Sequence, residues 1–328
     1  MVKKIALFIA QSRVAAAIAS LLCLGLWIYS LTRLDGQSVA SESKIWGYAI
    51  VILYLLAGIA MVRLTKKHAI NTKHQLLPMT LLMMGGALSP QLPTMSVGAI
   101  QLVLIMVAYH IMLDTYRVRY AMSSYFMAFA LLGVGSIITP QLLFVVPLLI
   151  LSATPLQSLH FRAFCASLLG FLLPFWVAFS VLFLTDSTHR ISEYLASAIP
   201  SSYPFPTDGL CIPINGISVT IPIAAIHLVW ILLTLIPASI HVITNVNIKV
   251  SVRASLYHTC LLILILLLAI LVFPALYHVL LPTLLFLTPI LGAKFFDVHL
   301  STLWRSVYLV VMTLIWLVFI GLHLWSLL

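Results

Sequence analysis

The chain has 328 residues, 63% of them hydrophobic and only 7% charged, with a mean hydropathy of +1.17. A water-soluble domain carries roughly a quarter charged residues, so this composition excludes one. The formal net charge of +10 would suit a nucleic-acid binder, but the basic residues lie between apolar runs instead of clustering on a solvated face, and no nucleic-acid partner is expected.

In chain order, the start MVKKIALFIAQSR has only a short apolar stretch before Gln11, Ser12 and Arg13. It reads as an interfacial lead-in to an uncleaved first helix. Apolar runs then recur at 14–32, 45–62, 76–90, 95–113, 120–138, 140–158, 164–184, 220–241, 255–273, 277–293 and 306–326. Helices of this length cross about 30 Å of hydrocarbon. Barrel strands would instead alternate over about ten residues. The expectation is an all-α, polytopic transmembrane helix bundle of about 11 spans with its N-terminus cytoplasmic. It forms a single integral membrane domain: a seven-span part (1–184), an outer loop (185–220) and a four-span part (221–328). The stretch 76–90 is the shortest, holds Gly85-Gly86, and could instead be a re-entrant hairpin.

Charge asymmetry sets the orientation. With the N-terminus inside, all of the 17 Lys and Arg residues except Arg33, Lys44 and Arg190 fall on inner segments, as the positive-inside rule requires. Acidic residues lean outward: Asp35, Glu42, Asp186, Glu193 and Asp208, against Asp114 and Asp297 inside. Omitting the short third span would invert every later loop and spoil the pattern.

The outer loop carries Ile191, Tyr194, Leu195, Ala198 and Ile199 at helical spacing, with Ser192, Glu193 and Ser197 opposite. This predicts an amphipathic helix lying on the outer membrane surface. After it, Asp208-Gly209 and Asn215-Gly216 are turn signals.

The four cysteines, Cys23, Cys165, Cys211 and Cys260, stand alone, and no HExxH, P-loop, GxSxG or GxGxxG occurs. No metal, disulfide or cofactor is expected. No charged residue sits near the middle of a predicted span, where it would cost about 2.5–3.5 kcal/mol, which argues against a carboxylate-based proton pump. His110, Asp114 and Arg117 form a polar cluster at the inner end of the fourth span, able to hold an anionic headgroup or a proton, or to act as an ordinary helix-end pair. Two proline triplets, Pro140, Pro147, Pro155 and Pro274, Pro282, Pro289, are placed like the interrupted helices of transporter sites, but proline is also simply commoner in membrane helices, and that reading is preferred.

Asn71-Thr72 and Pro78 before a short span, then Arg162, Gly170 and Pro174 in LHFRAFCASLLGFLLPFW, resemble uncharacterised multi-spanning inner-membrane proteins of the Bacteroidetes over residues 71–174. The resemblance implies a bacterial inner-membrane location and carries no activity. The same region also looks like polyprenyl-phosphate-dependent glycosyltransferases, which use an acidic residue of the first outer loop. Under that likeness Asp35 would be the base, and His189 and Arg190 would hold a lipid phosphate. The first outer loop here is short, and Asp35-Gly36 is also a good turn. Two readings follow: a non-enzymatic component that handles a lipid-like substrate or scaffolds partners, and a lipid-linked transferase. The expected partners are membrane lipids and other membrane proteins.

Overall fold

A computed structural model describes residues 2–33, 41–71, 74–89, 92–186, 189–198, 209–214, 217–244, 248–299 and 303–327. In chain order the elements are α1 (Val2–Gln11), α2 (Arg13–Arg33), α3 (Ser41–Lys67), α4 (Leu77–Ala87), α5 (Ser96–Leu113), α6 (Met122–Ile138), α7 (Leu142–Ser152), α8 (Phe161–Leu184), α9 (His189–Ala198), β1 (Gly209–Ile214), β2 (Ile217–Pro222), α10 (Ile223–Thr244), α11 (Val250–Val272), α12 (Tyr277–His299) and α13 (Leu303–Leu327). Single 3₁₀ turns sit at Leu92–Thr94, Thr154–Leu156 and Pro274–Leu276. The lead-in is a helix of its own, and Ser12 divides it from α2 by accepting the Val14 N–H at 3.1 Å, an N-cap contact.

Among the described residues, eight helices are long and apolar enough to cross a membrane: α2, α3, α5, α8, α10, α11, α12 and α13. Three shorter apolar helices, Leu77–Ala87, Met122–Ile138 and Val145–Leu156, lie in the three remaining predicted apolar runs. The stretch predicted to cross at 76–90 is a helix of only 11 residues, about 16 Å at 1.5 Å per residue. By length it does not cross about 30 Å of hydrocarbon alone.

The helical fold carries one insertion of strand. β1 and β2 pair antiparallel with Leu210 opposite Ile221, Ile212 opposite Val219 and Ile214 opposite Ile217. The predicted span beginning at 220 therefore starts at Ile223, because 217–222 is strand.

The chain forms two compact units that interleave in sequence: Met1–Ser96, Pro206–Val246 and Leu285–Leu328 make the first, Val97–Phe205 and Asn247–Leu284 the second. In the first unit α4 packs against α2 and α3, and α1 against α13. The Gly85-Gly86 pair explains how α4 fits. A Cβ on Gly86 would meet the Trp27 ring at 2.8 Å, and one on Gly85 would meet Trp230 Nε1 at 2.9 Å. Two tryptophans thus close on two faces of one short helix.

In the second unit α6 and α8 approach through reciprocal glycines. Gly133 of α6 lies against the Phe171 carbonyl and the Pro174 ring, and Gly170 of α8 against the Phe126 carbonyl. Small residues of this kind let helix backbones meet in a membrane interior. Gly98 of α5 covers the His278 carbonyl, 2.6 Å from its ideal Cβ, and touches Pro282. Pro282 cannot donate to His278, so the exposed carbonyl is shielded by a glycine of the neighbouring helix. Gly170 and Pro174, two of the residues carrying the family resemblance, are therefore packing residues.

Burial is uneven. In the most apolar 18-residue window of Pro274–Phe296, 89% of residues are buried, against 17% in that of α8. The exposed side of α8, including Leu169, Trp176, Phe183 and Leu184, is apolar, which suits lipid as its solvent.

Candidate functional site

Helices that end in an apolar interior leave their last carbonyls without donors. Each of the three short helices here meets a side-chain N–H from a long helix at that end. Trp27 of α2 donates its indole N–H to the carbonyls of Gly86 and Ser89 at 3.2 and 3.3 Å, at the end of α4. Gln101 of α5 donates its amide to the Gly135 carbonyl at 2.6 Å and contacts Thr139 Oγ1 at 3.0 Å, at the end of α6. His258 of α11 places Nδ1 2.6 Å from the Ser152 carbonyl, at the end of α7. Trp27, Gln101 and His258 are all buried, as are Ser89 and Ser152.

His258 anchors a larger polar centre in the second unit. A carbonyl can only accept, so Nδ1 carries the ring proton and Nε2 of the neutral ring has a free lone pair. Nε2 is buried, and no hydrogen-bond partner reaches it among the described residues. The ring stacks on Tyr109 at 5.5 Å. Thr259 donates to the Ser255 carbonyl, so the 2.6 Å contact between Tyr109 and Thr259 must be donated by the phenol. A second hydroxyl chain starts at Tyr125, which donates to Ser158 at 2.9 Å. Ser158 donates on to Thr115 at 3.0 Å, and Thr115 to the Met112 carbonyl. Every hydroxyl proton in these chains is used. Nε2 of His258 is the open position, and it is suited to accept a hydrogen bond from a hydroxyl or an ammonium group.

The predicted polar cluster is divided. His110 Nε2 and Asp114 Oδ2 are 3.9 Å apart on a partly exposed helix end. Arg117 points its Nε to Gln157 Oε1 at 2.9 Å, and its backbone N–H goes to the Leu156 carbonyl. Arg117 and Gln157 both have φ of 56°. Two left-handed residues thus latch the α5–α6 turn to the α7–α8 turn, and Arg117 is held there as a structural link.

Of the residues implied by the glycosyltransferase likeness, Asp35 lies outside the described residues, His189 is exposed at the start of α9, and Arg190 is described only as part of that helix. The predicted amphipathic helix forms as α9. Tyr194 donates to the Ser136 carbonyl at 2.8 Å, Gln141 donates to the Ser197 carbonyl at 3.3 Å, and Ala198 is buried. Burial pushes the Tyr194 phenol up to about 12, which keeps it a donor. No group of three or more His, Cys, Asp or Glu residues that could hold a metal ion occurs among the described residues.

Trp27, Gln101 and His258 carry no sequence motif. Their one signal is a hydrogen-bonding side chain inside an apolar run, which is costly unless it is partnered.

Long apolar helices, short helices with bonded ends and an apolar exterior define a multi-pass membrane protein. No protein-family model, curated protein or solved structure matches the chain.

Proposed function

We propose that the chain is a non-enzymatic component of a bacterial inner membrane that handles or moves a lipid-like substrate, alone or with membrane protein partners. In this reading the N-terminus is cytoplasmic, the apolar segments make about 11 crossings, those of the short helices being completed by the turns that flank them, and the chain belongs to the Bacteroidetes family that it resembles. One observation carries it: three buried helix ends bonded by Trp27, Gln101 and His258. Helices that stop at membrane depth occur where backbone is enclosed by protein or lines a cavity, and carriers place substrates at such breaks. The centre around His258 offers hydroxyl dipoles and one open acceptor, which suit a substrate with an apolar body and a small polar head.

The test uses purified protein in vesicles containing a fluorescent phospholipid tagged in both leaflets. Bleaching by an impermeant reductant stops near half in protein-free vesicles and should run well beyond half with the protein. Extraction of the purified protein should also release a bound hydrophobic molecule. A half-bleach plateau together with an empty extract would overturn the reading.

A further inference from the structure

Arg305 lies in the first turn of α13, beside Trp304, which is 84% exposed. An exposed tryptophan at a membrane helix end marks headgroup depth. The Arg305 guanidinium lies over the Phe295 ring, 4.8 Å from its centroid, donates to the Phe295 carbonyl at 3.0 Å, and sits 3.2 Å from His241 Nδ1. Guanidinium only donates, so His241 accepts at Nδ1 and carries its own proton on Nε2.

The described contacts of Arg305 are a carbonyl, an imidazole and an aromatic face, and they engage two of its five N–H groups. A planar fork held by stacking is pre-organised for a tetrahedral oxyanion, and the positive end of the α13 dipole adds to the same field.

We propose that Arg305, held in place by His241 and Phe295, binds the phosphate of an anionic lipid headgroup. The guanidinium takes two phosphate oxygens, and the Phe295 ring and carbonyl hold it in place. The site lies in the first compact unit and stands apart from the transport reading above: either can fail alone, because this one is read by binding and the other by lipid movement.

Native mass spectrometry of the full chain, released from nanodiscs of phosphatidylcholine with or without phosphatidylglycerol, tests it. The wild type should retain phosphatidylglycerol in preference to phosphatidylcholine. Arg305→Gln should lower that retention about tenfold, and Arg305→Lys, which keeps charge but loses the fork, by at least about threefold. Arg63→Gln, an exposed basic residue elsewhere in the unit, should change it less than about twofold. Loss of bound lipid on adding millimolar inorganic phosphate would identify the phosphate as water-borne; retention would identify it as lipid-borne. Equal retention of the two lipids, or of phosphatidylglycerol by wild type and Arg305→Gln, would reduce Arg305 to a cap on α12 and overturn the site. If Arg305→Gln does not purify, His241→Gln carries the same comparison with the Phe295 stack in place.

Discussion

A buried carbonyl without a donor costs about 1–3 kcal/mol, and this ranks the three bonded helix ends. Gly86 and Gly135 also accept from the backbone N–H groups of Ser89 and Thr139, whereas Ser152 takes its bond from His258. His258→Leu should therefore destabilise the protein by about 1–3 kcal/mol, and Trp27→Phe and Gln101→Leu by about 0.5–1.5 kcal/mol each beyond any packing change. Thermal unfolding in detergent measures the order, and equal losses at all three would show that backbone bonds do not share the load. Asp35 is expected to behave as a turn residue. A true general base contributes about 10²–10⁴-fold to a rate, while a solvated turn residue is worth within about 0.5 kcal/mol. Asp35→Asn should complement a deletion strain at normal protein level; failure to do so would restore the transferase reading and direct attention to His189 and Arg190. Gln101 and His258 were visible in the sequence as polar groups in apolar runs. Their partners were not, because each is a carbonyl that any residue possesses, and the pairings span 34 and 106 positions.

At the scale of elements, glycine decides which helices meet. Alanine is favoured over glycine in a helix interior by about 1 kcal/mol, so the sign of a Gly→Ala change reports the space available. A methyl group on Gly25 would meet nothing within 4 Å, and Gly25→Ala should be neutral or stabilising. Gly98→Ala and Gly133→Ala would press a methyl on backbone carbonyls at 2.6 and 2.5 Å and should cost about 1–3 kcal/mol. Unfolding midpoints of the three variants test this, and a stabilised Gly98→Ala would refute the tight crossing. Element positions were legible because apolar runs and polar breaks are local features. The hairpin carried a readable signal as well: Asn215-Gly216, outside the described residues, lies between Leu210, Ile212, Ile214 and Ile217, Val219, Ile221 at alternate positions. The adjoining apolar helix hid it by extending the run into 220–222. The proline triplets look alike in sequence yet differ in structure. Pro140, Pro147 and Pro155 accompany the short α7 and a separate 3₁₀ turn, while α12 continues through Pro282 and Pro289.

For the whole molecule, orientation follows from charge. Single cysteines introduced at 66 and 249 should resist an impermeant maleimide in intact cells, and one at 208 should react. Labelling at 66 without labelling at 208 would invert the topology. The bonded helix ends also set an order of assembly. Trp27 and Gln101 are synthesised before the carbonyls they bind, but Ser152 emerges 106 residues ahead of His258. At about 5–20 residues per second the end of α7 waits roughly 5–20 s for its donor. During that interval a short, proline-containing segment depends on whatever insertion machinery or earlier helices shelter it, so α7 is the part of the nascent chain most exposed to expulsion from the bilayer or to capture by quality control.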